Sequence, residues 1–233
     1  MTELTPHARQ HFDGIVFDLD GTLINSAPDI HAALDKLLTR EGRRSVTLEE
    51  VIQMIGDGLP KLVERGYLAT GDLPAPDVLK VRTQELIEDY EANSTTLTYI
   101  YPGVIETLTS LKQQGLKLGL CTNKPEAATR IILEMFKMTH LFDSVVGGDT
   151  LDGIRKPDGR HVLAVVEGLG ITPDKALMVG DNHNDVASAR NAGLPVVAVS
   201  YGYVREDEPE LVVDQTIDHF ADLAAAINLL ASS

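Results

Sequence analysis

The sequence has little cysteine and few aromatic residues. It contains one cysteine, Cys121, no tryptophan, and aromatic side chains at only 5% of its 233 positions. One cysteine excludes a disulfide within the chain and is typical of a reducing compartment such as the cytoplasm. Because 43% of the residues are nevertheless hydrophobic, the chain can bury a core, and that core must be mostly aliphatic.

Long apolar runs and an excess of positive charge are also missing. No apolar stretch approaches the roughly 20 residues of a membrane-spanning helix, and the segment MTELTPHARQHFDG contains no apolar h-region of a secretory signal. The formal net charge of −15 argues against nucleic acid or an anionic membrane surface as a partner. A small anionic substrate stays compatible with it if the site is locally positive. We therefore expect a cytoplasmic protein, while its oligomeric state stays open.

Short apolar runs predict strands that alternate with helices. The runs lie at residues 15–20, 116–123, 142–149, 175–182 and 194–200. Helical patterns separate the later runs, and a final helix is expected to begin with Asp218 as its N-cap. This alternation predicts an α/β fold with a doubly wound parallel sheet. The continuous apolar character of the runs agrees with burial on both faces.

Nearly a hundred residues without a convincing strand separate the first two runs. Residues 28–42 carry apolar side chains on one helical face, Thr47 and Glu50 stand at capping-box spacing, and residues 71–94 predict a long amphipathic helix. A helical layer packed on the sheet is one interpretation. An inserted helical cap is favoured, because so many helices in one crossover cannot all pack on one strand.

These patterns predict two domains. The expected cap domain spans residues 27–96, and the expected core domain combines residues 1–26 and 97–233.

Polar side chains follow each of the first four predicted strands of the core. They are Asp18 and Asp20, then Thr122 and Asn123, then Lys156, then Asp181 and Asp185. In an open parallel sheet, ligands bind at the carboxyl ends of the strands. Several carboxylates and one ammonium in a single crevice require a cation, and oxygen ligands favour Mg²⁺.

Each of these residues alone has a simpler interpretation. A single D-x-D pair often closes a strand, Thr122 fits a helix cap, and Lys156 fits a solvated surface lysine. Asp181 fits a turn, and Asp185 fits the N-cap region of the next helix. Their order at the ends of consecutive strands favours one joint functional site.

The same segments resemble the motifs of haloacid dehalogenase superfamily phosphatases. DLDGT, CTN, RKP and GDNHND match the family's motifs in order, and the insertion resembles the helical cap of the phosphoglycolate phosphatase-like branch. LINSAPDI, TNKPE, GGDT and VVAVSYGY add to the resemblance. The sequence departs from the pattern at Asn25, where Asp is usual, at Asn182, where Ser or Thr is usual, and at Gly159, where proline often stands.

The resemblance implies a role for each motif residue. Asp18 is implied as the nucleophile that forms an aspartyl-phosphate, and Asp20 as the general acid and later the base. Mg²⁺ is implied on Asp18, the backbone carbonyl of Asp20, and Asp181.

Further roles are implied at the phosphoryl group. The Thr122 hydroxyl and the Asn123 backbone N–H would hold its oxygens, and Lys156 would neutralise its developing charge. Asp185 would orient Lys156 or a metal-bound water.

The implied function is a phosphatase for a small phosphorylated metabolite, and whole-chain similarity favours 2-phosphoglycolate. The alternatives are a sugar phosphate, a nucleotide or pyrophosphate as substrate, or a phosphomutase. Asp20 favours phosphoryl chemistry over dehalogenation, because a halide needs no proton. A phosphonate-cleaving relative would need a cap lysine, with Lys36, Lys61 and Lys80 as candidates, although solvated surface lysines are the simpler interpretation.

Two other classes of protein share parts of this pattern. A phosphorylatable receiver module is shorter, lacks the large insertion and carries its aspartate on a later strand. An inactive member used as a binding protein conflicts with the complete set of acids and lysine.

The segment MIGDGLPKLVERG is the expected lining of a substrate chamber. Gly56 and Gly58 would permit close backbone approach, and Lys61 or Arg65 would meet a substrate carboxylate. A helix–turn–helix with solvated basic residues is the alternative.

Overall fold

The computed structural model describes residues 2–205 and 210–232. The strands are β1 Gly14–Phe17, β2 Ile24–Asn25, β3 Tyr99–Ile100, β4 Lys117–Cys121, β5 Ser144–Val146, β6 Ala176–Gly180, β7 Val196–Val199 and β8 Gln215–Ile217. The helices are α1 Pro6–His11, α2 Ala27–Arg40, α3 Leu48–Ile52, α4 Leu59–Thr70, α5 Pro76–Asn93, α6 Val104–Gln113, α7 Glu126–Met135, α8 Gly159–Leu169, α9 His183–Ala192 and α10 Leu223–Ala231. Short 3-10 turns lie at Thr139–Leu141, Pro173–Lys175 and Phe220–Asp222.

Strands of the described residues form a six-stranded sheet in the order β5-β4-β1-β6-β7-β8, and every pair is parallel. The central strand is β1, where Phe17 is in register with Leu120 of β4 and Val179 of β6. The carboxyl ends of these three strands therefore meet at one edge of the sheet. The predicted doubly wound α/β fold is confirmed.

Alternate residues of each strand point to opposite faces of the sheet, and each face is covered by a hydrophobic cluster. On one face Phe17 and Leu120 pack in a cluster with Ile227 of α10. On the other face Val16 packs with Val165 of α8 and other aliphatic residues. Burial on both sides explains why the strands are continuously apolar in sequence.

The inserted helices α2 to α5, which lie between β2 and β3 in sequence, surround a second hydrophobic cluster that Ala128 of α7 also joins. Leu34, Leu62, Tyr67 and Tyr90 are among its buried members. The predicted capping box at the start of α3 is present: Thr47 Oγ1 accepts from the Glu50 N–H, and the Glu50 carboxylate accepts from the Thr47 N–H. The expectation of an inserted helical module is confirmed.

Three local expectations were wrong. The interval predicted to lack strands contains β2 and β3, which pair antiparallel and join the helical module to the sheet. The edge strand β8 was not predicted. Helix α10 begins at Leu223 after a 3-10 turn, so Asp218 is not its N-cap; the Asp218 side chain instead accepts a hydrogen bond from Ser200 Oγ.

Among the helices in the described part of the chain, none combines the length and apolar character needed to cross a bilayer.

Candidate active site

The polar residues predicted at the strand ends lie together at the carboxyl edge of the sheet. Asp18 follows β1, Thr122 follows β4, and Asp181 follows β6. Carboxylate oxygens of Asp18, Asp181 and Asp185 lie within 4.8 Å of one another, and all three side chains are buried. The sequence expectation that these distant segments share one crevice therefore agrees with the structure.

Lys156 joins two of these carboxylates. Its Nζ donates to Asp18 Oδ1 and to Asp185 Oδ1, both at 2.6 Å, and the residue is 3% exposed. The interpretation of Lys156 as a solvated surface lysine is therefore wrong.

The Lys156 backbone is held by His161, which the sequence did not single out. The Lys156 N–H donates to His161 Nδ1 at 3.2 Å, and His161 Nε2 lies 3.0 Å from the Gly147 carbonyl oxygen. The ring is therefore neutral, with its proton on Nε2. Burial lowers the pKa of His161 to about 4, and the nearby Lys156 charge acts in the same direction.

Asp181 occupies a tight pocket of hydrogen-bond donors. One carboxylate oxygen accepts from the Tyr203 N–H at 2.6 Å, and the other accepts from Thr22 Oγ1 at 3.3 Å. A Cβ at Gly21 or Gly202 would come within 2.2 Å of Asp181 side-chain atoms. Both positions therefore require glycine for the backbone to approach this carboxylate so closely.

The cluster carries more negative than positive charge. Burial raises the pKa of Asp18 to about 7, with a further contribution from Asp185 and opposition from Lys156. Burial, Asp185 and Asp18 also raise the pKa of Asp181 well above its usual range. Burial alone would lower the pKa of Lys156, but the charges of Asp18 and Asp185 outweigh it and hold the pKa high. Three carboxylates against one ammonium favour binding of a cation.

Asp185 has two functions in this arrangement. Its Oδ2 accepts from the N–H groups of Asp181 and Asn182 at 3.0 and 3.2 Å, in the capping box that begins α9. Its Oδ1 accepts from Lys156. Asp185 therefore caps α9 and contacts Lys156 at the same time.

Thr122 and Asn123 form the loop after β4. Thr122 Oγ1 accepts from the Lys124 N–H at 3.2 Å and caps no helix, because α7 begins later, at Glu126. The Asn123 amide donates to the carbonyl oxygens of Gly56 and Lys156, at 2.9 and 3.0 Å. Asn123 therefore connects the inserted helices to the sheet edge.

Asp20 lies beside a second buried lysine, Lys124, whose importance the sequence analysis missed. The Asp20 carboxylate is 2.9 Å from Lys124 Nζ and also accepts from Ser26 Oγ. Lys124 Nζ donates to the hydroxyl of Tyr90 in α5 at 2.7 Å. Burial opposes the charged form of Lys124, but Asp20 and Tyr90 hold its pKa above its usual range. The signal was present in TNKPE, where Lys124 directly follows the Thr-Asn pair.

A chamber of about 490 Å³, counting its open mouth, lies over this edge. The sheet side contributes charged and polar residues: Asp18, Asp20, Thr122, Asn123, Lys124, Lys156 and Asn182. The inserted helices contribute a mostly apolar wall: Ile30, Ile55, Gly56, Gly58, Leu59 and Leu62.

The expected chamber residues of the inserted helices are present only in part. Gly56 and Gly58 line the chamber with left-handed backbone, at φ +123° and +85°. Lys61 and Arg65 are not among its lining residues, which corrects that expectation. Lys61 pairs with the neighbouring Glu64, and Arg65 donates to Asp57 and to the Met54 carbonyl.

The departures from the family pattern have local explanations. The Asn25 side-chain amide donates to the Tyr99 hydroxyl at 2.9 Å, which an Asp carboxylate could not do, and its oxygen accepts from the Tyr203 hydroxyl at 2.9 Å. Asn182 is the N-cap of α9 and donates to Asp181, which a Ser or Thr hydroxyl could also do. A Cβ at Gly159 would come within 2.7 Å of the Asn191 backbone, so glycine permits the close approach of α8 to α9.

Comparison with known proteins agrees with this geometry. The family described as haloacid dehalogenase-like hydrolase matches residues 15–199. A phosphoglycolate phosphatase of Cereibacter sphaeroides is 40% identical over 90% of this chain and 95% of its own length. A phosphoglycolate phosphatase of Caulobacter vibrioides is 40% identical over 94% of this chain and 92% of its own. The crystal structure of a predicted phosphoglycolate phosphatase from Haemophilus somnus 129PT superimposes with a TM-score of 0.86, at 33% identity, covering 92% of this chain and 97% of that one.

Proposed function

Because this chain belongs to the haloacid dehalogenase-like hydrolase family, we propose that it is a Mg²⁺-dependent phosphatase acting through an aspartyl-phosphate on Asp18. The relatives confirm the expected enzyme class, a phosphoric monoester hydrolase. The observation that carries the proposed mechanism is the buried contact of Asp18 with Lys156, beside Asp181 and Asp185, in a chamber that Asp20 also lines.

The residues at the sheet edge fit a magnesium ion. The donors available there are carboxylate oxygens, which Mg²⁺ prefers, and the negative charge of three acids exceeds that of one ammonium. The backbone at Gly21 and Gly202 lies so close to the Asp181 carboxylate that a Cβ at either position would collide with it. We assign the ion to Asp18, the Asp20 backbone carbonyl and Asp181. When bound, it offsets the repulsion between an anionic nucleophile and an anionic substrate.

Asp18 and Asp20 divide the chemistry between them. Asp18 Oδ attacks phosphorus, the bond from phosphorus to the ester oxygen breaks, and the phosphoryl group passes to Asp18. Asp20 donates a proton to the departing oxygen and later removes one from the water that hydrolyses the intermediate. The contacts of the Asp20 carboxylate with Lys124 and Ser26 fix its position for both steps.

Three residues hold the phosphoryl group. The Thr122 hydroxyl and the Asn123 backbone N–H bind its oxygens, and the Lys156 ammonium neutralises charge that spreads over them in the transition state. Asp185 keeps Lys156 in place through its 2.6 Å contact.

We assign residues 27–96 to a cap domain and residues 1–26 and 97–233 to a core domain. The hydrophobic cluster that α2 to α5 surround, to which the core contributes only Ala128 among the described buried members, supports this division. At the boundary, the buried Asp29 carboxylate accepts from the N–H groups of Leu97 and Thr98 at 2.8 to 3.0 Å. The cap completes the chamber, so it selects the substrate.

For the substrate we propose 2-phosphoglycolate, the compound named in the relatives' activity. The small chamber and its apolar cap wall suit a short leaving group. A sugar phosphate, nucleotide or pyrophosphate is the alternative, and a phosphomutase is a further one. The single buried cysteine fits a cytoplasmic enzyme.

A steady-state screen of small phosphate esters with Mg²⁺ tests this proposal. We expect the highest kcat/KM for 2-phosphoglycolate and no turnover by Asp18→Asn. A higher kcat/KM for another ester would assign the activity to that ester instead. If no ester is turned over, the proposed phosphatase activity is wrong.

A further inference from the structure

We propose that Lys124 sets the substrate preference by binding an anionic group, such as a carboxylate, on the leaving half of the ester. This inference rests on the proposed phosphatase function. It assigns to a buried lysine of the core a role that the sequence had suggested for Lys61 or Arg65 of the cap.

The chamber contains cationic side chains as well as carboxylates. Among the described residues that line it, the cationic side chains are Lys124 and Lys156. Lys156 donates to Asp18 and Asp185, so its charge lies where the transferred phosphoryl group is proposed to bind. Lys124 is the remaining cation for any second negative charge on the substrate.

Lys124 lies next to the proposed proton donor, Asp20. Its Nζ lies 2.9 Å from Asp20 Oδ1. A general acid must reach the leaving oxygen within hydrogen-bond distance. A carboxylate one carbon away from that oxygen therefore comes within reach of the same ammonium, while the phosphoryl group lies on the Asp18 side.

The surroundings of Lys124 are largely shielded from water. Lys124 is 5% exposed, its Nζ lies 4.6 Å from the centre of the Tyr90 ring, and the cap wall facing the chamber is formed by side chains such as Ile30, Leu59 and Leu62. Such surroundings offer a substrate anion few other partners, and charge pairs are stronger there than in water. A neutral leaving group adds no charge pair to the contacts that Lys124 already makes with Asp20 and Tyr90, so the site favours the anionic ester.

The test compares two esters that differ in one group. The substrates are 2-phosphoglycolate and 2-hydroxyethyl phosphate, in which a neutral CH₂OH replaces the carboxylate. For the unmodified enzyme we expect a kcat/KM ratio of at least about tenfold in favour of the anionic ester, the range of one charge-assisted hydrogen bond. Lys124→Met should lower that ratio by about ten- to a hundredfold, and Lys124→Arg should restore part of it.

The control is Lys112→Met, which removes an ammonium paired with Asp143 outside the chamber and should leave the ratio unchanged. If Lys124 serves only to hold Asp20 in place, Lys124→Met should lower kcat/KM by the same factor for both esters. That result would overturn the inference. Equal kcat/KM values for the two esters with the unmodified enzyme would also overturn the inference, even if Lys124→Met does not fold. Hydrolysis of neither ester, nor of any other phosphate ester, would instead reject the phosphatase function and this inference with it.

Discussion

The ammonium of Lys156 lies 2.6 Å from a carboxylate oxygen of Asp18, although 138 positions separate the two residues. The parallel sheet makes this contact possible, because β1, which precedes Asp18, and β5, which precedes Lys156, run parallel and end at the same edge. Asp185 accepts a second hydrogen bond from the same ammonium. One cation thus orients the proposed nucleophile while Asp181 stays available for a metal ion.

Removal of the metal should abolish activity. Without a divalent cation, the buried Asp18 and Asp181 carboxylates meet the charge of the substrate unshielded. Exhaustive chelation should stop turnover, and added Mg²⁺ should restore it. In calorimetric titrations Asp181→Asn should weaken Mg²⁺ binding, while Asp152→Asn at an exposed position should not. Full activity after chelation would contradict the metal assignment.

Asp20→Asn should discriminate between leaving groups. An alkoxide needs a proton as it departs, whereas nitrophenolate does not, and general acid catalysis contributes about a hundred- to ten-thousandfold. Rapid-quench measurements should show much slower phosphoenzyme formation from 2-phosphoglycolate than from nitrophenyl phosphate. The phosphoenzyme from nitrophenyl phosphate should accumulate, because the same carboxylate activates water. Equal losses for both esters would mean that Asp20 is not the general acid.

His161 should make the protein less stable in mild acid. Burial lowers its pKa from the ordinary 6.5 to about 4, so between these values the unfolded chain binds a proton that the folded protein does not. The contribution of the neutral ring to stability is complete above pH 6.5 and is lost as the pH falls toward 4.

Urea denaturation at a series of pH values checks this prediction. Between pH 6.5 and 4, the free energy of unfolding should fall less steeply for His161→Gln than for the unmodified protein. His140→Gln, at an exposed position, should keep the original slope. Identical slopes for all three proteins would disprove the effect.

Asp29 should stabilise the junction between the cap and the core. Its buried carboxylate accepts from the N–H groups of Leu97 and Thr98 and from Thr98 Oγ1. Asp29→Ala leaves these donors without a partner and should lower the free energy of unfolding by about 1–3 kcal/mol. Asp152→Ala at an exposed position is the matched control. A loss no larger than that of the control would show that the junction does not depend on Asp29.

The central strands and most of the site could be predicted from sequence. Asp18, Thr122 and Asp181 directly follow apolar runs, and parallel strands bring such positions to one edge whatever the loop lengths. The insertion was also recognisable, because helical periodicity and the Thr47–Glu50 capping box are local signals.

The rest depends on contacts between distant segments. The pairing of β2 with β3 involves two residues in each strand, too few to produce a periodic pattern. The importance of Lys124 depends on Asp20 and on Tyr90, a cap residue 34 positions away. The orientation of α4 decides that Arg65 turns toward Asp57 rather than toward the chamber, and a helix pattern alone cannot specify this.

The most direct test of the account is to locate the phosphoryl group on the enzyme. The enzyme is mixed with Mg²⁺ and excess 2-phosphoglycolate, quenched in acid within milliseconds, digested, and its peptides are analysed by mass spectrometry. We expect a phosphoryl group on the Asp18 side chain and no adduct with Asp18→Asn. The adduct should break down with a rate constant no smaller than kcat. Hydrolysis that continues in Asp18→Asn, or an adduct on any other residue, would contradict the account.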